Sequence, residues 1–380
     1  MEEQKQVPKL RFVEFSDEWK DEKVGMLGTF KGGGTPSTNN SEYWQGETPW
    51  ISSSVIKEND IHNINISRYL SELAITESAT KVIPKGSILF VARVGIGKVA
   101  VANQDLCTSQ DFANLIPRKD DSYYIAYYFI SKSKLLFQYS QGTSIKGFTS
   151  GDLKSIPINI PTLPEQQKIA SFLSSVDKKI AQLKQKQGLL EDYKRGVMQQ
   201  IFSQQLRFTD ENGNEYPKWE EKRLGDVLKI GSGKDYKHLT EGLIPVYGTG
   251  GLMAFVSDYL YEGESVGIGR KGTIDKPVFL EGKFWTVDTL FYTHSFKNVL
   301  PKFIFYLFLL INWKKYNEAS GVPSLSKGTI EKIIISFPSI EEQTQIALFL
   351  SAIDKKIAKI QTQIDKTQTF KKGLLQQMFV

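Results

Sequence analysis

The sequence has one cysteine, Cys107, and three histidines, His62, His238 and His294. A single thiol excludes a disulfide framework and a cysteine-rich zinc site, and histidines this far apart have no metal-ligand spacing. Long apolar runs are also missing. The longest, Phe303 to Ile311 (FIFYLFLLI), is too short to span a bilayer and is expected to be a buried helix. The first residues, MEEQKQVPKL, lack the apolar segment of a secretory signal. No membrane association and a cytoplasmic location are therefore expected. Neither sign of charge dominates: 48 Lys and Arg stand against 42 Asp and Glu, a net +6. That balance suits a polyanionic partner, and it equally describes a mildly basic soluble protein.

What the chain does have is length and a repeat. Its 380 residues suit two or three domains, and 40% hydrophobic residues suffice for more than one core. TLPEQQKIASFLSSVDKKI, from Thr162 to Ile180, returns 177 residues later as SIEEQTQIALFLSAIDKKI, from Ser339 to Ile357. At the same offset Gly196, Gln199, Gln200 and Phe202 return as Gly373, Gln376, Gln377 and Phe379, while Gly86, Arg93, Gly95 and Asp111 return as Gly263, Arg270, Gly272 and Asp288. Upstream the offset drifts: Leu10-Arg11-Phe12 matches Leu206-Arg207-Phe208, and Trp19 matches Trp219. Two such units are too few and too large for a solenoid. A duplication whose middle has diverged accounts for the pattern: a lead-in segment, a variable globular domain and a long helix, twice.

Each long helix opens on a capping-box pattern, Thr162 with Glu165 and Ser339 with Glu342. A seam of 3-4 spacing follows, through Leu173, Val176, Ile180, Leu183 and Leu190 in one copy and Leu350, Ile353, Ile357, Ile360 and Ile364 in the other. This 3.5-residue period is that of a coiled coil, and the polar remainder argues against a globular core helix. The two copies are expected to pair antiparallel within the chain. Pairing of each with another chain is the alternative. Gln187, Lys194 and Lys371 interrupt the seam, where they either fix register or, for the lysines, snorkel. Gly196 and Gly373 weaken a helix interior, and their repetition suggests close approach by a partner.

The variable domains read as α+β with short strands around one helix. Strands are expected at Pro49–Ser52, Ile88–Val91 and Leu153–Ile160, with a helix at Tyr123–Tyr139. The second unit is expected to have strands at Ser265–Ile268, Phe284–Tyr292 and Ile330–Phe337, and a helix at Pro301–Tyr316. Gly267-Ile-Gly269-Arg-Lys-Gly272 matches a dinucleotide fingerprint, but Pro277 falls too early for the helix it requires. The aligned residues of the first unit are Phe90, Ala92 and Gly95, so the motif is not repeated. Gly231-Ser-Gly-Lys234 lacks the first glycine and the Ser/Thr of a P-loop.

The plan of the chain resembles the specificity (S) subunit of type I restriction–modification systems. So do GGGTPS…EYW…PWISS, GSILFVARVGIGKVAV, VGIGRKGTIDKP…FWTVDTLFY and the PEQQKIA/EEQTQIA helix starts. The resemblance covers nearly the whole chain. It implies two pseudo-two-fold-related target-recognition domains, residues 22–160 and 206–337, each reading half of a bipartite site in double-stranded DNA. They follow a lead-in segment, residues 1–21, and are joined by spacer helices at 161–205 and 338–380 that form an intramolecular antiparallel coiled coil. It further implies two modification (methyltransferase) subunits docked on the helices, and restriction (translocase/nuclease) subunits. S-adenosylmethionine, ATP and magnesium would sit on those partners and no cofactor on this chain. The sequence has no Asn-Pro-Pro-aromatic run and no acidic nuclease cluster, so catalytic residues are not assigned and the chain is expected not to be an enzyme by itself. The rival expectations are a standalone methyltransferase or nuclease module, and a coiled-coil scaffold that binds no DNA.

Backbone contacts are expected from Arg93, Lys98, Arg270 and Lys271, beside glycine turns. Surface ion pairs are the alternative for these side chains. Base discrimination is expected from the polar loops that differ between the units, Lys31–Ser41 (with Thr35), Ser52–Ser54 (with Ser53), Thr143–Thr149 (with Lys146), Lys234–His238, Tyr247–Gly251 and Ser320–Lys327, with Gln110 suited to an adenine edge.

Overall fold

The computed structural model describes residues 7–139 and 147–380. Lys146 therefore lies outside the described residues. The chain divides into two compact units, Met1–Leu183 with Gln363–Val380, and Lys184–Thr362.

In the first unit one four-stranded sheet has the order Gly28–Gly32, Phe112–Pro117, Ile88–Val91, Val99–Val101. A second has the order Arg68–Leu70, Thr48–Ile51, Leu106–Thr108, Val82–Ile83. Ile88–Val91 is buried on both faces. Period-2 alternation sends Ile88 and Phe90 into the main core, and Leu89 and Val91 into a smaller core with Ile51 and Leu106. The helix Ser122–Ser131, begun by Asp121 accepting from the Tyr124 N–H, packs Tyr124, Tyr127, Tyr128 and Phe129 into the main core.

The second unit repeats this plan. Its sheets run Lys229–Ser232, Leu290–His294, Ser265–Gly269, Val278–Leu280 and Gly251–Val256, Glu241–Gly248, Lys283–Thr286, Tyr261–Glu262. In each unit the central pair of the second sheet is parallel, Thr48–Ile51 with Leu106–Thr108 and Glu241–Gly248 with Lys283–Thr286. The buried helix is Pro301–Leu310. Gly267 and Gly269 lie in a strand, and the next element is the strand Val278–Leu280, which leaves the fingerprint glycines without the helix N-terminus that would hold a pyrophosphate.

The long helices are Leu163–Phe202 and Ile340–Gln377. In the second unit Gln187 donates to Gln361 at 3.0 Å and Lys194 pairs with Asp354 at 2.6 Å. Seven residues up one helix are thus seven down the other, so the helices run antiparallel there. Leu173, Val176, Ile180, Leu183, Leu350, Ile353, Ile360 and Ile364 are buried, while Leu190 and Ile357 are partly so. The expectation that neither helix serves a globular core needs correcting. Ile169, Leu173 and Val176 pack with Tyr124 and, from the other helix, Leu374 and Met378; Ile346, Leu350 and Ile353 pack with Phe303, Val197 and Ile201. The aromatic helix of each unit supplies the apolar surface that the polar composition of the long helices hid.

The capping-box glutamates have another role. Glu165 is fully buried and takes Arg11 through both oxygens, each at 2.7 Å, with the Trp19 indole at 3.3 Å. Glu342 takes Arg207 at 3.1 and 2.7 Å and Trp219 at 3.0 Å. The Ser339 hydroxyl does accept from the Glu342 N–H, at 3.4 Å, so the hydroxyl half of that cap is present. The adjacent glutamines are also buried: Gln166 accepts from the Asp121 N–H, and Gln343 from the Leu300 N–H, at the starts of the two aromatic helices. One Glu-Gln pair per unit thus ties lead-in segment, long helix and aromatic helix together. This is why Arg11 and Trp19 recur with the helix start.

The seam lysines do not snorkel. Lys371 pairs with Asp177 at 2.6 Å and is almost fully buried, while Lys194 pairs with Asp354. Each aspartate also accepts from a tyrosine of the aromatic helix, Tyr127 or Tyr306, at 2.7 Å. In the first unit alone, His62 stands 3.5 Å from Asp177 and 2.9 Å from the Tyr127 hydroxyl. Among the described residues, nothing lies within 4 Å of where a Cβ on Gly196 or Gly373 would stand, so neither notch is filled by them.

Three expected strands are divided or shortened. Residues Ser150–Ser155 are a helix set by a Thr149–Asp152 capping box, and Lys327–Lys332 a helix capped by Ser326; only Pro157–Ile160 and Ile334–Phe337 are strands. Phe284–Tyr292 breaks at Val287–Thr289, where the chain passes between sheets. The expected helices are likewise shorter: Lys132 separates Ser122–Ser131 from Ser133–Gln138, and a 3-10 turn, Trp313–Tyr316, follows Pro301–Leu310.

Candidate nucleic-acid interface

In each unit a three-residue crossing carries the chain from one sheet to the other: Ser109–Asp111 between Leu106–Thr108 and Phe112–Pro117, and Val287–Thr289 between Lys283–Thr286 and Leu290–His294. Unpaired backbone groups there must find partners, and they find them in three distant segments. In the first unit the Gly34 N–H donates to the Thr108 carbonyl at 2.8 Å, the Ser109 N–H to Ile51 at 2.9 Å, and the Ala92 and Arg93 N–H groups to Asp111 at 2.7 and 3.2 Å. In the second, the Lys234 N–H donates to Thr286 at 2.8 Å, the Val287 N–H to Tyr247 at 2.9 Å, and the Arg270 and Lys271 N–H groups to Thr289 at 2.8 and 3.3 Å. The crossings thus gather the glycine loop, the end of a central strand, and the basic loop.

This hydrogen bonding corrects the sequence repeat by one residue. Val91 faces Phe112 as Gly269 faces Leu290, so Ala92 corresponds to Arg270 and Arg93 to Lys271. Val94 then corresponds to Gly272, and both have positive φ, 37° and 93°. The turn demands a left-handed residue, which glycine adopts freely and a β-branched valine only under strain. The glycine loops face a different constraint. A Cβ on Gly33 or Gly233 would stand 2.0 or 1.9 Å from the carbonyl oxygen of Ser109 or Val287, so the backbone lies directly on the crossing. The carbonyl of the next residue, Gly34 or Lys234, accepts an indole N–H from Trp50 or Trp285 at 3.0 or 2.8 Å.

The structure places the candidate side chains around these crossings unevenly. Arg93, Lys234, Arg270 and Lys271 are exposed. Arg270 donates to the Asp288 carbonyl at 3.4 Å and lies over the Phe291 ring, while Lys271 is bridged to Ser324. Thr35 donates to Gln110 in the crossing, at 2.5 Å. Lys98 lies against Gly95, and Lys31 reaches the Val82 carbonyl at 3.5 Å. The Ser52 hydroxyl bonds Ser54, but Ser53 is buried in a 3-10 turn, which takes its side chain off the exposed surface. Lys327 stands apart as well. Its charge acts on His294, at the end of the strand away from the crossing; there burial first, then Lys327, holds the imidazole below its usual range.

Sequence reasoning named the hairpin tip, Tyr247–Gly251, but passed over two features of this surface. Arg68 stacks on Trp44 at 3.6 Å in the first unit. In the second, the hairpin Glu241–Val256 exposes Leu243, Leu252, Met253 and Phe255. The hint was the stretch Gly242–Val256, which contains no charged residue. Among the described residues no group of three His, Cys, Asp or Glu side chains is placed to hold a metal, and no helix is long and apolar enough to cross a membrane.

Comparison with known proteins agrees with this arrangement. The family model described as the type I restriction modification DNA specificity domain matches twice, over residues 16–192 and 216–377. The type I restriction enzyme MjaIX specificity subunit of Methanocaldococcus jannaschii is 35% identical over 231 residues, 57% of this chain and 53% of that protein, so the match spans about half of the relative. The EcoprrI specificity subunit of Escherichia coli is 24% identical over 85% of this chain and 84% of its own. The crystal structure of a type I S subunit from M. genitalium superposes with a TM-score of 0.67 at 18% identity, covering 98% of this chain and 99% of that one, and shares its fold. With both units matched, the chain belongs to the family of type I restriction–modification specificity subunits.

Proposed function

We propose that the chain reads a bipartite DNA site without itself performing chemistry, one unit to each half-site. The helices would set the number of base pairs between the halves and dock two modification subunits. Those partners, with restriction subunits where present, would supply S-adenosylmethionine, ATP and magnesium. The observation that carries this reading is the doubled crossing: one scaffold, gathering the same three segments twice, with different side chains on each copy. The shared element is a basic residue at one turn position, Arg93 or Lys271, suited to phosphate. The differing elements are Thr35 and Gln110 in one unit, Lys234 and the hairpin in the other. Exposed Tyr193 and Phe370, each three residues before an open glycine and related by the 177-residue offset, suit two copies of one partner.

The test is to co-express the chain with its methyltransferase partner and map the methylated adenines. Two short specified runs separated by an unspecified spacer are expected. Arg93→Ala and Lys271→Ala should each weaken binding evenly across sequences and flatten the slope of log K against log salt by about 0.9. A single uninterrupted motif, methyl transfer by the chain alone, or salt-insensitive binding would contradict the reading.

A further inference from the structure

The hairpin Glu241–Val256 is apolar where a soluble surface should not be. Leu243 is 91% exposed, Leu252 54%, Met253 56% and Phe255 50%. Its second strand, Gly251–Val256, is the edge of its sheet. An uncharged edge strand with outward apolar side chains invites aggregation unless something covers it. Its location suggests what does. The tip residue Thr249 lies 3.9 Å from the Cβ position of Gly272, in the loop that carries Arg270 and Lys271, and the Tyr247 carbonyl is fixed to the crossing. Two cations therefore stand at the tip of a two-stranded ribbon. A ribbon of that kind is one of the few protein elements that the major groove admits, and the groove's one apolar marker is the C5-methyl of thymine. The equivalent pair in the first unit differs: Thr48–Ile51 pairs with Arg68–Leu70, and Arg68 lies over Trp44 and Trp50.

We propose that this ribbon enters the major groove of the half-site read by the second unit and recognises thymine there through methyl contacts made by Leu252, Phe255 or Leu243. Arg270 and Lys271 hold the flanking phosphates. The proposal rests on the DNA-reading function above and adds the base class and the side chains.

The experiment uses the chain assembled with its methyltransferase partner, and a duplex bearing the mapped motif. Thymines of one half are replaced by deoxyuridine, which keeps base pairing and removes only the methyl. Replacement in one half is expected to weaken binding about fourfold per contacted methyl. Replacement in the other half should leave binding unchanged. In Leu252→Ser with Phe255→Ser, and in Leu243→Ser, whose side chain is 91% exposed, that penalty should disappear for whichever methyl the changed residue contacts. Equal binding of both duplexes, a penalty that persists in all the variants, or a motif with no A·T pair in either half overturns the proposal and leaves DNA reading by the chain intact. Variants that fail to assemble with the partner while binding DNA normally would instead assign the ribbon to a protein interface and overturn it. Loss of binding to every duplex by the unaltered complex would overturn the DNA-reading function as well.

Discussion

Glu165→Ala is expected to destabilise the first unit by about 3–5 kcal/mol, the cost of removing one partner from a buried ion pair. The carboxylate is fully buried and is the acceptor for both the Arg11 guanidinium and the Trp19 indole. Removing it leaves a cation that is only 12% exposed without its carboxylate, together with an unpaired indole N–H. Glu165→Gln keeps one acceptor oxygen and should recover part of the loss. Glu342→Ala should cost the second unit less, because Arg207 is 23% exposed and water can reach it. Denaturant unfolding followed by tryptophan emission checks this, since Trp19 and Trp219 report directly on the two sites. Equal, small losses at both glutamates would mean that the lead-in segments are not held by them.

The second large effect belongs to Lys371. Lys371→Ala strands the Asp177 carboxylate between Tyr127, His62 and apolar surface, and about 3 kcal/mol is expected. Lys194→Ala, beside the more exposed Asp354, should cost nearer 1 kcal/mol. The two differ in their response to pH. Burial pushes the Asp177 carboxyl up, but bonds from His62, Lys371 and Tyr127, with the charge of Lys371, outweigh it and hold the group below the usual carboxylate range. A depressed carboxyl contributes stability above the unfolded value, near about pH 4, and loses it as pH falls through the folded one. Without Lys371 two of the lowering influences vanish and burial gains weight. The folded carboxyl then titrates higher, and protonation relieves the stranded charge. The difference in stability between the native chain and Lys371→Ala should therefore be largest near neutrality and shrink on acidification. Stability curves at several pH values check this; a difference that grows as pH falls would contradict it.

The long helices were plain in the sequence because capping hydroxyls and a 3.5-residue seam are local signals, and the α+β class followed from short strands of β-branched and aromatic residues. What the helices pack against was not plain. Arg11 reaches Glu165 across 154 positions, so a glutamate three residues past a hydroxyl read as a cap. Lys371 stood out as a seam residue, but its partner Asp177 lies 194 positions earlier and carries no local signal of the pairing. The candidate interface was half legible. Its basic and glycine loops were recognised, but the crossing that gathers them is held by backbone groups, which carry no residue signature. The repeat slipped by one residue for a related reason: Gly95 and Gly272 align by identity, whereas the strand register that matches Val91 with Gly269 places Val94 at the position of Gly272. Ser53 sat among exposed serines and is buried by a turn that composition does not announce.

The central claim, that the paired helices measure the distance between two half-sites, is tested most directly by lengthening them. One heptad inserted after Leu183 and one after Thr362 keeps the seam in phase and adds about 10 Å of helix. Mapped methylation should keep both half-sites, with the spacer between them longer by up to about 3 base pairs at 3.4 Å each. Methylation of the original motif at its original spacing would contradict the account.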